Sequence, residues 1–389
     1  MWFFRCPEFC FGEDALTQLA SLQGKRAFIV TDENIVGLGF VAAVQAQLTA
    51  ADIDSQVFAE VEPDPSIQTV KRGAAAMTAF APDWVIGLGG GSSMDAAKAM
   101  WILYERPDVA PEEINPFDEL NLRQKARLIC IPTTAGTGSE ANYGIVLTDT
   151  EEKRKLTLGS REVTPDLAIV DPAFTAQLPR QITADTGIDV LTHAIEAYTC
   201  TWANDFTDGL CLQAIRMVFD YLPRAVANGA GDMEAREKMA NAASIAGMVL
   251  GNSQVALAHA LGHSVGGIFK QLPHGRITAV FLPVTMQFIT QTGQGRYRDI
   301  AQLLHLPAQD EAEGSANLVD AIYKLLDEIG QPKSLQAAGI APADFEEAMP
   351  MMIEHVDFDA NTLMSPRIPE TSEIERLLLY AFNGRSVDF

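Results

Sequence analysis

The chain has 389 residues, 48% of them hydrophobic, which is more than one ordinary core takes up and suits two globular domains. Its 51 acidic against 28 basic residues give a formal charge of −23, so nucleic acid and anionic membrane surfaces are repelled, and neither is expected as a partner. Five scattered cysteines with no C-x-x-C pair argue against a disulfide framework or a thiolate zinc site, and Met1-Trp2-Phe3-Phe4-Arg5 lacks the regions of a secretory signal, so a reducing, cytoplasmic setting is expected.

Ala27-Phe28-Ile29-Val30 reads as a strand that ends at Thr31-Asp32. A carboxylate in that position can accept from the hydroxyls of an adenosine ribose and repels an added 2′-phosphate, which favours NAD over NADP. The alternative is a turn cap before Glu33-Asn34. Trp84 to Leu88 is the next strand, and it runs into Gly89-Gly90-Gly91-Ser92-Ser93-Met94-Asp95 and a helix from Ala96 to Trp101. Glycines admit close approach of a ligand to the backbone, and free N–H groups at a helix start attract phosphate. The same glycines would also serve a strand-to-helix turn for its geometry alone. A third strand, Leu128 to Ile131, leads into Pro132-Thr133-Thr134-Ala135-Gly136-Thr137-Gly138-Ser139-Glu140, whose hydroxyls suit ribose and phosphate oxygens or a capped turn. Strands alternating with helical patterns predict a parallel, Rossmann-like sheet.

From Ile182 the strand signals stop and helical patterns continue almost to the C-terminus. A boundary near Leu178-Pro179-Arg180 divides an α/β domain, residues 1–180, from an all-helical domain, residues 181–389. Asn241 to Phe269 carries no Asp, Glu, Lys or Arg, yet its Asn252, Gln254, His259 and His263 and its Ala/Gly richness predict a buried helix pair, not a membrane span. Asp189 and His193 stand four apart, as do His259 and His263, so a helix presents each pair on one face. His274 follows on a turn. Oxygen and imidazole ligands without thiolate suit Fe²⁺, Zn²⁺, Mn²⁺ or Co²⁺. Any one such histidine reads equally as a hydrogen-bonded core residue. Three clusters in a chain of six histidines favour a shared ligand, with His305 and His355 as surface or packing residues.

In order along the chain, Gly89-Gly90-Gly91-Ser92-x-x-Asp95, the Thr133 to Glu140 turn, Ile169-Val170-Asp171 … Pro179 … Thr186-x-x-Asp189 … His193 … Glu196, and His259 … His263 … His274 resemble the iron-containing (group III) alcohol dehydrogenases, from about Phe11 to Phe382. The stretch Trp101 to Pro107 resembles the alcohol-dehydrogenase half of bifunctional aldehyde–alcohol dehydrogenases. The resemblance implies a dehydroquinate synthase-like plan: an N-terminal Rossmann-like NAD-binding domain and an all-α metal-binding domain, with the reacting carbonyl between them. It implies Asp189, His193, His259 and His274 as ligands of one divalent metal, Fe²⁺ with Zn²⁺ as a substitute, and His263 as an unliganded histidine near nicotinamide that handles the proton. Cofactor contacts would come from Asp32, Gly90, Gly91, Ser92, Ser93, Asp95, Thr133, Thr134, Thr137, Val146 and Lys155.

The implied reaction moves a hydride between NAD(H) and a small primary alcohol or aldehyde, in a homodimer or larger homo-oligomer. Two departures stand out: one extra residue between His263 and His274, and Asp64 where relatives often carry asparagine near the adenosine. The alternatives are a glycerol-dehydrogenase-like zinc polyol enzyme and a dehydroquinate-synthase-like lyase. A non-enzymatic binding module would explain each site but not their combination. Arg161 and Arg276 are read as loop or surface charges in preference to anchors for an anionic substrate.

Overall fold

The computed structural model describes residues 3–151 and 154–389. It divides into two compact units, 1–177 and 178–389. The first is built on eight strands: β1 (Glu8–Phe11), β2 (Arg26–Val30), β3 (Asp54–Phe58), β4 (Trp84–Gly89), β5 (Arg127–Pro132), β6 (Gly144–Asp149), β7 (Arg154–Gly159) and β8 (Leu167–Val170). Its helices are α1 (Glu33–Gly37), α2 (Phe40–Ala50), α3 (Ile67–Phe80) and α4 (Gly91–Glu105). Six strands form a parallel sheet in the order β1-β8-β5-β4-β2-β3, and β6 and β7 form a separate antiparallel hairpin.

Residues alternate across the sheet. Phe28, Val30, Val85, Leu128 and Cys130 face α3 and α4, while Ala27, Ile29, Ile86, Ile129 and Ile131 face α1 and α2. Helices on both faces explain why these strands read as continuous apolar runs. The strand order reverses at β2, since β3 lies on one side of it and β4 on the other. Ligands of open α/β sheets bind at such a switch point, beyond the carboxyl ends of the strands, and here Asp32 leaves β2 and Gly90 leaves β4.

The second unit is helical: α5 (Arg180–Thr199), α6 (Asp205–Asn228), α7 (Met233–Leu250), α8 (Leu257–Ile268), α9 (His274–Thr290), α10 (Tyr297–Leu303), α11 (Glu311–Ile329), α12 (Pro342–Phe358) and α13 (Thr371–Asn383). The charge-free stretch from Asn241 supplies the end of α7 and all of α8, and no helix among the described residues is long and apolar enough to cross a membrane. Almost all of α5 from Thr183 onward is buried, including Asp185, Asp189, His193 and Glu196. Polar groups enclosed in this way need partners, and those partners build the site.

Candidate metal centre and dinucleotide turns

One oxygen of Asp189 and one nitrogen each of His193 and His259 lie within 4.8 Å of one another, all buried. Nε2 of His193 is 3.8 Å from Asp189 Oδ2, Nε2 of His259 is 3.8 Å from Oδ1, and Nε2 of His274 is 3.9 Å from Oδ1. These gaps are too long for hydrogen bonds and suit atoms that share a cation at about 2.0–2.2 Å from each. Nε2 of His259 is buried without a hydrogen-bond partner, an atom an interior seldom leaves bare. The donor set therefore fits a borderline divalent metal. His274 is 40% exposed, so one side of the cluster is open.

Protonation states agree with ligation. Burial would raise Asp189, but the imidazoles of His193 and His274 and the Thr278 hydroxyl outweigh it and hold the carboxyl down at about 2. Burial, reinforced by His193, holds His259 well below the ordinary imidazole range, so its ring is neutral. Metal ligation requires these two forms.

Neighbouring groups orient these donors. Nδ1 of His259 is 2.6 Å from Glu196 Oε2, and the Glu196 carboxylate also accepts from the backbone N–H groups of Ala256, Ala258 and His259 at the start of α8. Burial pushes Glu196 up to about 7 against those donors. With Nδ1–H bound to Glu196, the lone pair of His259 stays on Nε2. Thr278 Oγ1 donates to Asp189 Oδ1 at 3.0 Å.

His274 is the first residue of α9, and the helix begins at the ring where the sequence suggested a turn. A Cβ on the next residue, Gly275, would fall 2.0 Å from the Asp185 carbonyl, so only glycine lets α9 start this close to α5. Arg276 clamps the same junction with two bonds to Asp185, at 3.0 and 2.9 Å, and Gln331 donates to that carboxylate at 2.8 Å. His263 stands beside the cluster, its ring stacked on His274 at 5.3 Å and its Nδ1 2.8 Å from Asp359 Oδ2.

In the first unit, Gly89 has φ +149°, and a Cβ there would meet Ser93 Oγ at 2.5 Å. The start of α4 after Gly90 has no side-chain cap, leaving its first N–H groups for a ligand. Ser92 Oγ accepts from Asp64 N at 3.3 Å, and Thr133 N donates to the Gly89 carbonyl at 3.0 Å. Thr134 lies against Gly90 and Thr137 against Gly91, so the two polar turns are in contact. Asp32 caps α1 through Oδ1, accepting from Asn34 N and Ile35 N, and turns Oδ2 toward Ser93 Oγ at 3.4 Å. The cap expected as the alternative at Asp32 is present, and its second oxygen faces the glycine turn.

Asp95, expected as a cofactor contact, is buried, with Oδ1 accepting from Ser139 Oγ and Oδ2 from Val146 N. Lys155, on β7, pairs with Asp64 at 2.8 Å, which joins two positions singled out separately in the sequence.

Residues 6–172 match the iron-containing alcohol dehydrogenase family, and residues 183–382 match the C-terminal region of the Fe-containing alcohol dehydrogenase family. The chain belongs to the iron-containing alcohol dehydrogenase family. It is accordingly an oxidoreductase of alcohols and aldehydes, with NAD(H) and a divalent metal as cofactors. The chain is 38% identical over 381 residues to an NADPH-dependent butanol dehydrogenase of Clostridium saccharobutylicum, covering 97% of each chain.

It is 35% identical to the bifunctional aldehyde-alcohol dehydrogenase AdhE of Escherichia coli over 95% of its own length but only 44% of that protein. An iron-containing alcohol dehydrogenase structure from Thermococcus thioreducens superposes with a TM-score of 0.89, covering 99% of this chain and 100% of that one at 29% identity. Within this iron-containing dehydrogenase, Glu196, Asp185, Thr278 and Asp359 are the groups that the ligand spacing did not single out. Of these, only Glu196 lies within the motif that carries the family resemblance, and the donors it serves lie some sixty residues away at the start of α8.

Proposed function

We propose that this iron-containing alcohol dehydrogenase reduces small, uncharged aldehydes with NADH, and oxidises the matching primary alcohols, at a metal held by Asp189, His193, His259 and His274. The observation that carries this reading is the bare, buried Nε2 of His259 facing Asp189 beside the open His274. A bound Fe²⁺, or Zn²⁺ in its place, supplies a Lewis acid that polarises a carbonyl oxygen. Asp189 supplies the negative charge, His193 and His259 close the buried side, and His274 leaves the exposed side for substrate.

The uncapped start of α4 and the Thr133, Thr134 and Thr137 hydroxyls hold the dinucleotide, and Asp32 Oδ2 favours a free 2′-hydroxyl over a 2′-phosphate. His263, with Nδ1 directed at Asp359, holds the proton that the product alkoxide takes up. Arg276 is bound to Asp185, which argues against an anionic substrate. A homo-oligomer is supported by edge strand β1, which among the described residues pairs only with β8 and exposes Phe11. The scattered, unpaired cysteines support a cytoplasmic setting. Steady-state reduction of a neutral aldehyde panel with NADH and NADPH, on protein loaded with Fe²⁺ under anaerobic conditions, tests the reading. Turnover only of carboxylated aldehydes, or only with NADPH, would contradict it.

A further inference from the structure

Lys98 is fully enclosed in the first unit, on α4 two turns past the glycine turn. Its ammonium donates to Ser139 Oγ at 2.7 Å, to the Gly144 carbonyl at 2.9 Å and to Asn142 Oδ1 at 3.5 Å, which uses all three of its protons. Asp95, one turn earlier on α4, lies 3.8 Å from that ammonium. Its carboxylate accepts from Ser139 Oγ at 2.6 Å and from Val146 N at 2.9 Å. Ser139 thus accepts from the cation and donates to the anion.

A buried ion pair of this kind is weak evidence for stability, because the cost of desolvating both charges offsets their attraction and an apolar pair would pack as well. The Lys98 ammonium is wholly enclosed, and the Asp95 side chain is only 13% exposed. What the network does is geometric. It ties α4 to the end of the second polar turn and to β6, while the other end of that turn is held by Thr133 N on Gly89. Between these ties Thr137 approaches Gly91 so closely that a Cβ on the glycine would lie 3.0 Å from it.

We propose that Asp95, Lys98 and Ser139 are positioning residues that set the gap between the start of α4 and the Thr133–Thr137 hydroxyls, and through it the affinity for the dinucleotide. This rests on the reading of those two turns as the dinucleotide site.

The test is a fluorescence titration of the metal-loaded protein with NADH in the absence of aldehyde. Ser139→Ala, which removes one bond to each charge and leaves the ion pair in place, is expected to weaken NADH binding about tenfold. Ser139→Thr restores the hydroxyl and most of the affinity. Asp95→Asn/Lys98→Met removes both charges with little change of shape and weakens binding at least as much as Ser139→Ala.

The affinity of the second unit for Co²⁺ stays unchanged in all three. Ser92→Asp tests the underlying reading, because a carboxylate in the first turn suits the helix but repels phosphate. If Ser92→Asp binds NADH like the wild type, the site itself is misassigned. If Ser92→Asp loses NADH while Ser139→Ala and the double variant bind it at wild-type affinity, the positioning role is wrong and the network only stabilises the fold.

Discussion

Glu196 Oε2 lies 2.6 Å from His259 Nδ1, and all four hydrogen-bond partners of the Glu196 carboxylate are N–H groups of the segment that starts α8. One carboxylate therefore caps a helix and orients the ring of a candidate metal ligand. Glu196→Gln keeps the shape but turns an NH₂ toward donors. It is expected to weaken Co²⁺ binding about 10- to 100-fold, read by calorimetry, with NADH affinity unchanged. Equal Co²⁺ affinity in variant and wild type would remove Glu196 from the centre.

Asp32 caps α1 and, on the proposed reading, also faces the adenosine ribose, and different replacements separate the two. Asn caps a helix about as well as Asp, so Asp32→Asn keeps the cap on α1 and removes only the charge. It is expected to raise the NADPH/NADH ratio of kcat/KM roughly tenfold or more with little change in Tm. Asp32→Ala should shift the same ratio and also lose about 1 kcal/mol of stability with the cap. A ratio unmoved in Asp32→Asn would leave Asp32 a cap and nothing more.

The junction of α5 and α9 places His274. In Gly275→Ala the new methyl group would meet the Asp185 carbonyl, so α9 must shift. A loss of about 1–3 kcal/mol by chemical denaturation, together with weaker metal binding, is expected. Stability lost without any change in metal affinity would separate the helix junction from the ligand.

Arg276 belongs to the same junction. Arg276→Met leaves the buried Asp185 carboxylate without its main cation, which destabilises the unit by roughly 3 kcal/mol or more. The ratio of kcat/KM for butanal to that for an aldehyde bearing a carboxylate should stay constant. A selective loss with the charged aldehyde would make Arg276 a substrate anchor.

The sheet was legible where strands are buried on both faces, as in Ala27 to Val30 and Leu128 to Ile131, because each is an unbroken apolar run between polar turns. The edge strand β1 and the hairpin β6–β7 carry only shorter apolar runs; β1 is held by β8, distant in sequence, and β6 is tied to α4 where Asp95 accepts from Val146 N. The pairs Asp189/His193 and His259/His263 were visible as four-residue spacings, since a helix puts such residues on one face. No spacing distinguishes which of His259 and His263 points into the cluster. That is decided by Glu196 on one ring and Asp359 on the other, through contacts spanning 63 and 96 positions. Asp95 read as part of the glycine turn because helix geometry alone does not say which way its carboxylate faces.

On the proposed reading, one divalent metal at Asp189, His193, His259 and His274 makes aldehyde reduction by NADH possible. Protein stripped with a chelator under anaerobic conditions should be titrated with Fe²⁺ while initial rates of NADH oxidation by butanal are followed. Activity is predicted to rise from near zero and to saturate at one metal per chain in the wild type. In Asp189→Asn, which still binds NADH, it should stay near baseline over the same range. Full turnover in the stripped protein, or the same one-to-one activation in Asp189→Asn, would contradict the account.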